Sequence, residues 1–132
     1  RQRQMCIRDR HPEYSVRVRY KVSPGSWSSR QSALAAICAA QQGDFERMHD
    51  HLSTTTDWLT AQDWEPVGHE AEIRDIPGWL NCLSSDSAEA VLSEDSTWAA
   101  KLSLRGTPSL VTKRSGVHFG IVPVSTLEKW WR

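Results

Sequence analysis

Apolar and polar residues alternate through Tyr14-Ser15-Val16-Arg17-Val18-Arg19-Tyr20-Lys21-Val22. A period of two held that long predicts a strand with one buried face. Ser23-Pro24-Gly25 ends it. The period then changes. Over residues 28–42, Leu34, Ile37, Cys38 and Gln41 fall on one helical stripe, with Ala33, Ala36 and Ala40 beside it. Such small residues let another element pack close. Gly43 closes this helix and Asp44 is placed to cap the next. That helix brings Phe45, Met48 and Leu52 to one face. Ser53-Thr54-Thr55-Thr56 reads as a polar linker.

A further helix is predicted from about Trp64 to Ile73, with Pro66 tolerated in its first turn. Pro77-Gly78 opens a short one holding Trp79, Leu80 and Leu83. Asp86-Ser87-Ala88-Glu89 matches a capping box with Asp86 as cap. The helix that it starts would bury Val91, Leu92, Ala99 and Leu102. Residues 109–113 and 117–121 read as a hairpin around Ser115-Gly116. Val124 to Trp131 reads as a terminal helix with Leu127 and Trp130 inward. There is no internal repeat. The order is a strand, about five helices, a hairpin and a helix. Helices run between strands in this way when a helical insertion interrupts an α/β sandwich.

Length and charge narrow the classes. The chain has 132 residues, 39% of them apolar, which fits one globular domain. Its formal net charge is zero, which argues against a broad nucleic-acid footprint. No run approaches the ~18 apolar residues that span a bilayer. Residues 1–10 hold no apolar core of a signal peptide. They show neither helical nor strand period and resemble translated sequencing-adapter read-through, the alternative being a basic natural extension. Setting them aside leaves 12 basic and 15 acidic residues, with Cys38 and Cys82 as the cysteines. The seven Trp read as core and groove material.

The chemistry of interest lies at Gly106-Thr107-Pro108, just ahead of the strand-like Ser109-Leu110-Val111-Thr112. A proline there cannot donate to a central ladder. A cis Thr107–Pro108 bond would hold a tight turn that exposes its neighbour's backbone. The alternative is an ordinary turn with a trans proline. In this setting the tripeptide resembles the cis-proline loop of thioredoxin-fold proteins. Three further stretches point to the DsbA-like branch. Ala39-Ala40-Gln41-Gln42-Gly43-Asp44-Phe45, followed by Met48-His49-Asp50, resembles that family's helix pair. Asn81-Cys82-Leu83-Ser84 and Leu102-Ser103-Leu104-Arg105-Gly106-Thr107-Pro108 resemble two of its later segments.

The resemblance covers residues from about 13 to 131. It implies a thioredoxin-like α/β fold in which about 24–103 form the helical insertion and 104–132 the C-terminal β-hairpin and helix. It also implies a missing first strand and active-site helix, which should precede Tyr14. His11-Pro12-Glu13 would fit the end of that lost helix. Such a loss would leave ladder groups without partners, so the chain alone is expected to be unstable or partly molten. The family departs from this sequence at two places. Ser103 stands where a helix-ending Gly is usual, and Ser23-Pro24-Gly25-Ser26-Trp27 replaces the usual loop beside the site.

The implied activity is thiol–disulfide exchange on Cys-containing polypeptides, with a second protein recycling the site. Gly106, Thr107 and Pro108 would be the substrate-binding residues. The backbone of Thr107 would pair with an extended segment and Pro108 would hold the loop open. The reactive Cys-x-x-Cys is absent, so no catalytic residue is assigned in this chain. Neither an organic cofactor nor a metal is implied. Cys38 and Cys82 lie 44 positions apart and cannot be that pair. A structural disulfide, common in relatives carrying both, is one reading; two buried free thiols is the other. An extracytoplasmic bacterial parent follows from the resemblance, whether periplasmic, secreted or membrane-anchored.

Rival readings are a non-catalytic peptide-binding module and a glutathione-using transferase or isomerase with Ser in place of the reactive Cys. A plain helical interaction protein would require the Gly-Thr-Pro motif to be chance. His49 and His51 flank Asp50 but point apart on a helix, so they do not make a metal pair. His69 and His118 stand elsewhere in sequence. Asp63, Glu65, Glu70 and Glu72 read as a solvated acidic surface.

Overall fold

A computed structural model describes residues 15–131, the side chain of Trp131 excepted. The 1–10 segment, residues 11–13 and Tyr14 lie outside that range. The chain divides into two compact units. One is Tyr20–Thr97; the other combines residues up to Arg19 with those from Trp98 onward.

The Tyr20–Thr97 unit is helical. It contains α1 (Trp27–Gln41), α2 (Phe45–Thr54), a 3-10 turn (Asp57–Thr60), α3 (Glu65–Glu70), α4 (Ile76–Leu83) and most of α5 (Asp86–Lys101). Ser26 caps α1 by accepting from the backbone N–H of Ser29, 3.2 Å away. The expected single stripe on α1 is too narrow. Every residue from Ala33 to Ala39 is buried, while Gln41 is exposed. Alanine on several faces lets α2, α4 and the 3-10 turn approach α1 from different sides. Met48 and Leu52 of α2 close one side of this core. Trp79 of α4 is fully buried, and its Nε1 donates to the Ala35 carbonyl oxygen at 3.0 Å. That bond satisfies the polar edge of the largest fully buried side chain.

Helix boundaries differ from the sequence pattern in instructive ways. α2 runs through Thr54, into the expected polar linker, and there the hydroxyls of Ser53 and Thr54 bond back to the carbonyls of His49 and Asp50. α3 is shorter than the expected span from Trp64 to Ile73: it stops at Glu70, and Trp64 and Ile73 are buried on either side of it. The cap of α5 is Ser85, not Asp86: Ser85 Oγ accepts from the Ala88 N–H at 3.2 Å, and Asp86 is already helical. Three helices end with a residue at positive φ, at Gly43 (80°), Glu72 (58°) and Ser103 (52°). In each, the next residue's N–H reaches back five positions and the cap residue's own N–H three. The pairs are Asp44 to Ala39 and Gly43 to Ala40, Ile73 to Gly68 and Glu72 to His69, and Leu104 to Ala99 and Ser103 to Ala100.

The second unit holds the end of α5, the strands β1 (Ser109–Thr112) and β2 (Gly116–Phe119), and α6 (Val124–Trp131). The strands are antiparallel, with Ser109 opposite Phe119 and Thr112 opposite Gly116. Gly116, at φ 72°, completes the turn, and Thr112 Oγ1 accepts from the Ser115 N–H at 2.9 Å. Leu127 of α6 is buried, and the ring of Trp130 stacks on His118 at 3.9 Å.

The α/β thioredoxin-like fold expected from the resemblance is not the fold of the described residues. They are 57% helix, in six helices, with a single two-stranded antiparallel sheet. The alternating segment from residue 15 to 22 forms no strand, and Val16 and Val18 are 37% and 39% exposed. Alternation sets which face of a strand is apolar, but a strand exists only with a ladder neighbour. Among the described residues β1 pairs with β2 alone.

Candidate strand-edge site

α5 ends in the Ser103 cap, and the chain then runs exposed through Arg105, Gly106, Thr107 and Pro108 before entering β1. The Thr107–Pro108 peptide is cis. Ser109 Oγ donates to the Gly106 carbonyl oxygen at 2.6 Å and fastens the loop to the start of the strand. All three expected substrate-binding residues, Gly106, Thr107 and Pro108, are therefore at the surface and contiguous with β1.

The parity of the ladder follows from one bond. The Gly120 N–H donates to the Pro108 carbonyl oxygen at 2.9 Å. Antiparallel pairs alternate between hydrogen-bonded and non-hydrogen-bonded positions. In this register Leu110 and Thr112 face β2 with their backbone groups. The N–H and C=O groups of Ser109 and Val111 face the opposite edge. No strand covers that edge among the described residues. An unpaired edge of this kind is a template for another extended segment.

Charge distinguishes this unit from the other. Among the described residues it carries Arg17, Arg19, Lys101, Arg105, Lys113, Arg114 and Lys129 against Glu128 alone. Arg19 lies over the Trp98 ring at 4.9 Å. The Tyr20–Thr97 unit carries four basic and 13 acidic residues. A net charge of zero over the whole chain conceals this segregation. The signal is legible in the sequence, where no Asp or Glu stands between Asp95 and Glu128.

Cys38 and Cys82 are joined by a disulfide, with a Cα separation of 5.7 Å. It ties the buried middle of α1 to α4. The disulfide belongs to the helical unit and the Gly106–Pro108 loop to the other.

The histidines are spread out. His49 packs its ring against Phe45 at 5.1 Å. His51 Nε2 lies 3.3 Å from Thr55 Oγ1 and 3.7 Å from Glu70. His69 lies 3.7 Å from Glu65, one helical turn away. Among the described residues no group of three metal-ligating side chains comes together. Asp63, Glu65, Glu70 and Glu72 are exposed. Among the described residues no helix is long and apolar enough to cross a membrane.

Asp44 was expected as a helix cap, but its side chain makes no capping bond. Its buried carboxylate instead accepts from Arg74, at 3.1 Å from the backbone N–H and 2.8 Å from Nε. The backbone hydrogen bond and the guanidinium together hold the Asp44 carboxyl below the ordinary carboxylate range, against the opposing effect of burial.

Compared with protein-family models, curated proteins and solved structures, the chain matches none.

Proposed function

We propose that this chain is part of a thiol:disulfide exchange protein resembling the DsbA-like family, and that it supplies the edge on which the polypeptide substrate is held. The observation that carries the reading is the outer edge of β1, which no strand covers among the described residues and which is continuous with the exposed Gly106–Pro108 loop. An extended substrate segment would pair with the outward N–H and C=O groups of Ser109 and Val111, as in strand addition. Backbone pairing suits a protein acting on many sequences, because it ignores side-chain identity.

The exchange itself needs a thiolate. A thiolate sulfur attacks one sulfur of a disulfide, a new S–S bond forms, and the displaced sulfur leaves as a thiolate. Each step trades one disulfide for another, and a recycling partner restores the starting state. Cys38 and Cys82 are already bonded to each other, and the sequence holds no Cys-x-x-Cys. On this proposal the reactive pair would be supplied by sequence upstream of Tyr14. The disulfide between α1 and α4 also favours an oxidising, extracytoplasmic setting for the parent.

Recovering the coding sequence upstream of the Tyr14 codon tests this. A Cys-x-x-Cys there, in a protein that exchanges disulfides with a Cys-bearing peptide, is the expected result. A natural upstream sequence without such a pair removes the redox chemistry and leaves a peptide-binding module.

A further inference from the structure

The edge of β1 is flanked by positive charge at both ends. Arg105 is exposed just ahead of the Gly106–Pro108 loop, and Lys113 and Arg114 are exposed in the turn that follows β1. Among the described residues none of these three is in an ion pair. Arg17, Lys101 and Lys129 of the same unit carry the same sign, and Glu128 is its one described carboxylate. A ligand laid along the edge would meet a cation at each end and, among the described residues from Arg105 to Arg114, no opposing anion between them.

We infer that the edge of β1 selects acidic extended polypeptides, with Asp or Glu placed on both sides of a short strand-forming core. This rests on the strand-addition reading above and adds the substrate class. Two independent features converge on one occupant. The open edge of β1 asks for an extended backbone with alternating N–H and C=O groups. The cations at its ends ask for negative charge. Nucleic acid satisfies the second requirement but not the first, because a phosphodiester backbone has no N–H to offer a strand edge. Long-range attraction between these charges speeds encounter and is weakened by salt.

The test uses the full chain and labelled peptides with one strand-forming core of alternating Val and Thr. Three versions carry flanking pairs of Glu, Gln or Lys. A fourth is the Glu version with its alternate core amides N-methylated, which blocks strand pairing. Binding is measured by fluorescence anisotropy. The Glu peptide is expected to bind roughly tenfold tighter than the Gln peptide at ~0.05 M salt, with the gap closing at ~0.5 M. The Lys peptide is expected to bind weakest, and K113E/R114E is expected to reverse the order. Equal binding of the Glu, Gln and Lys peptides would overturn the acidic preference while leaving strand addition intact. Unimpaired binding of the N-methylated peptide, or binding by none of the peptides, would overturn the strand-edge reading itself. Tighter binding of a single-stranded oligonucleotide than of the Glu peptide would overturn the inference in favour of a polyanion surface.

Discussion

Arg74 closes over Asp44, thirty residues away in sequence, with both its main chain and its side chain. The Nε lies 2.8 Å from Oδ1 and the backbone N–H 3.1 Å from Oδ2. Nη2 continues to the Gln42 carbonyl oxygen at 3.2 Å. The Asp44 side chain is 1% exposed and that of Arg74 is 62% exposed. The pair is therefore asymmetric. Removing Asp44 strands a backbone donor and lets the guanidinium return to water. Removing the Arg74 side chain leaves the carboxylate with its main-chain bond. Asp44→Ala is expected to cost about 2 kcal/mol, the range for a hydrogen bond to a charged group. Arg74→Ala is expected to cost less. Urea denaturation of both variants and of the double mutant checks this. A larger loss from Arg74→Ala would contradict it.

The same pair sets an acid limb to stability. The folded carboxyl of Asp44 titrates below its unfolded value of about 3.9. A depressed carboxyl contributes its full stabilisation above the unfolded value and loses it as pH falls through the folded one. Glu89 is depressed in the same direction by its hydrogen bond from Arg30, but that pair is exposed and screened. Thermal melts across the acid range are expected to fall for the wild type below about pH 4. Asp44→Asn is expected to flatten that decline. An unchanged slope would remove Asp44 from the acid limb.

The Cys38–Cys82 bond closes a loop of 44 positions inside the helical unit. A chain-entropy estimate for such a loop gives about 4 kcal/mol, much of the stability of an ordinary domain. Cys38→Ala/Cys82→Ala is expected to unfold at markedly lower denaturant concentration, and reductant is expected to act similarly on the wild type. Because Cys38 is 1% exposed, the two alanines also leave a small void. Equal midpoints for the oxidised and reduced chains would show the bond to be energetically idle.

Ser103 and Glu72 occupy the left-handed position that Gly43 occupies at the end of α1. A side chain there meets its own backbone, a cost that glycine escapes. Ser103→Gly and Glu72→Gly are each expected to stabilise by about 0.5–1 kcal/mol, despite the greater freedom glycine gives the unfolded chain. Gly43→Ala is expected to destabilise by a similar amount. Denaturation midpoints measured on the three variants decide the sign. Loss of stability in both glycine variants would refute the account of these caps.

Local signals were legible and non-local ones were not. Leu34, Ile37 and Cys38 mark α1, and the Ser115-Gly116 turn marks the hairpin, because each depends on neighbours a few positions away. The Asp86 cap was misplaced by one residue because Ser85 and Asp86 are both good caps, and the choice rests on which hydroxyl or carboxylate reaches the Ala88 N–H. Asp44 reads locally as a cap, yet Arg74 takes its carboxylate from another part of the chain. The alternation at Val16 and Val18 reads as a strand, yet a strand needs a neighbour that no local pattern supplies. At the candidate site, Gly106, Thr107 and Pro108 stand out by residue type alone. Which groups of β1 face outward needed the register and the Gly120–Pro108 bond.

That register makes a sharp distinction between adjacent residues of β1. The Val111 N–H faces the open edge, whereas the Leu110 N–H faces β2. Proline has no N–H to give and is tolerated on an edge strand where that donor is not in the ladder. Val111→Pro is therefore expected to keep the β1–β2 hairpin and to weaken the binding of an extended peptide. Leu110→Pro removes a ladder bond and is expected to disturb the hairpin itself. Near-ultraviolet dichroism, sensitive to the Trp130 ring stacked on His118, reports the hairpin's integrity, while peptide anisotropy reports the edge. A Val111→Pro chain with native dichroism and undiminished peptide binding would show that the substrate is held elsewhere.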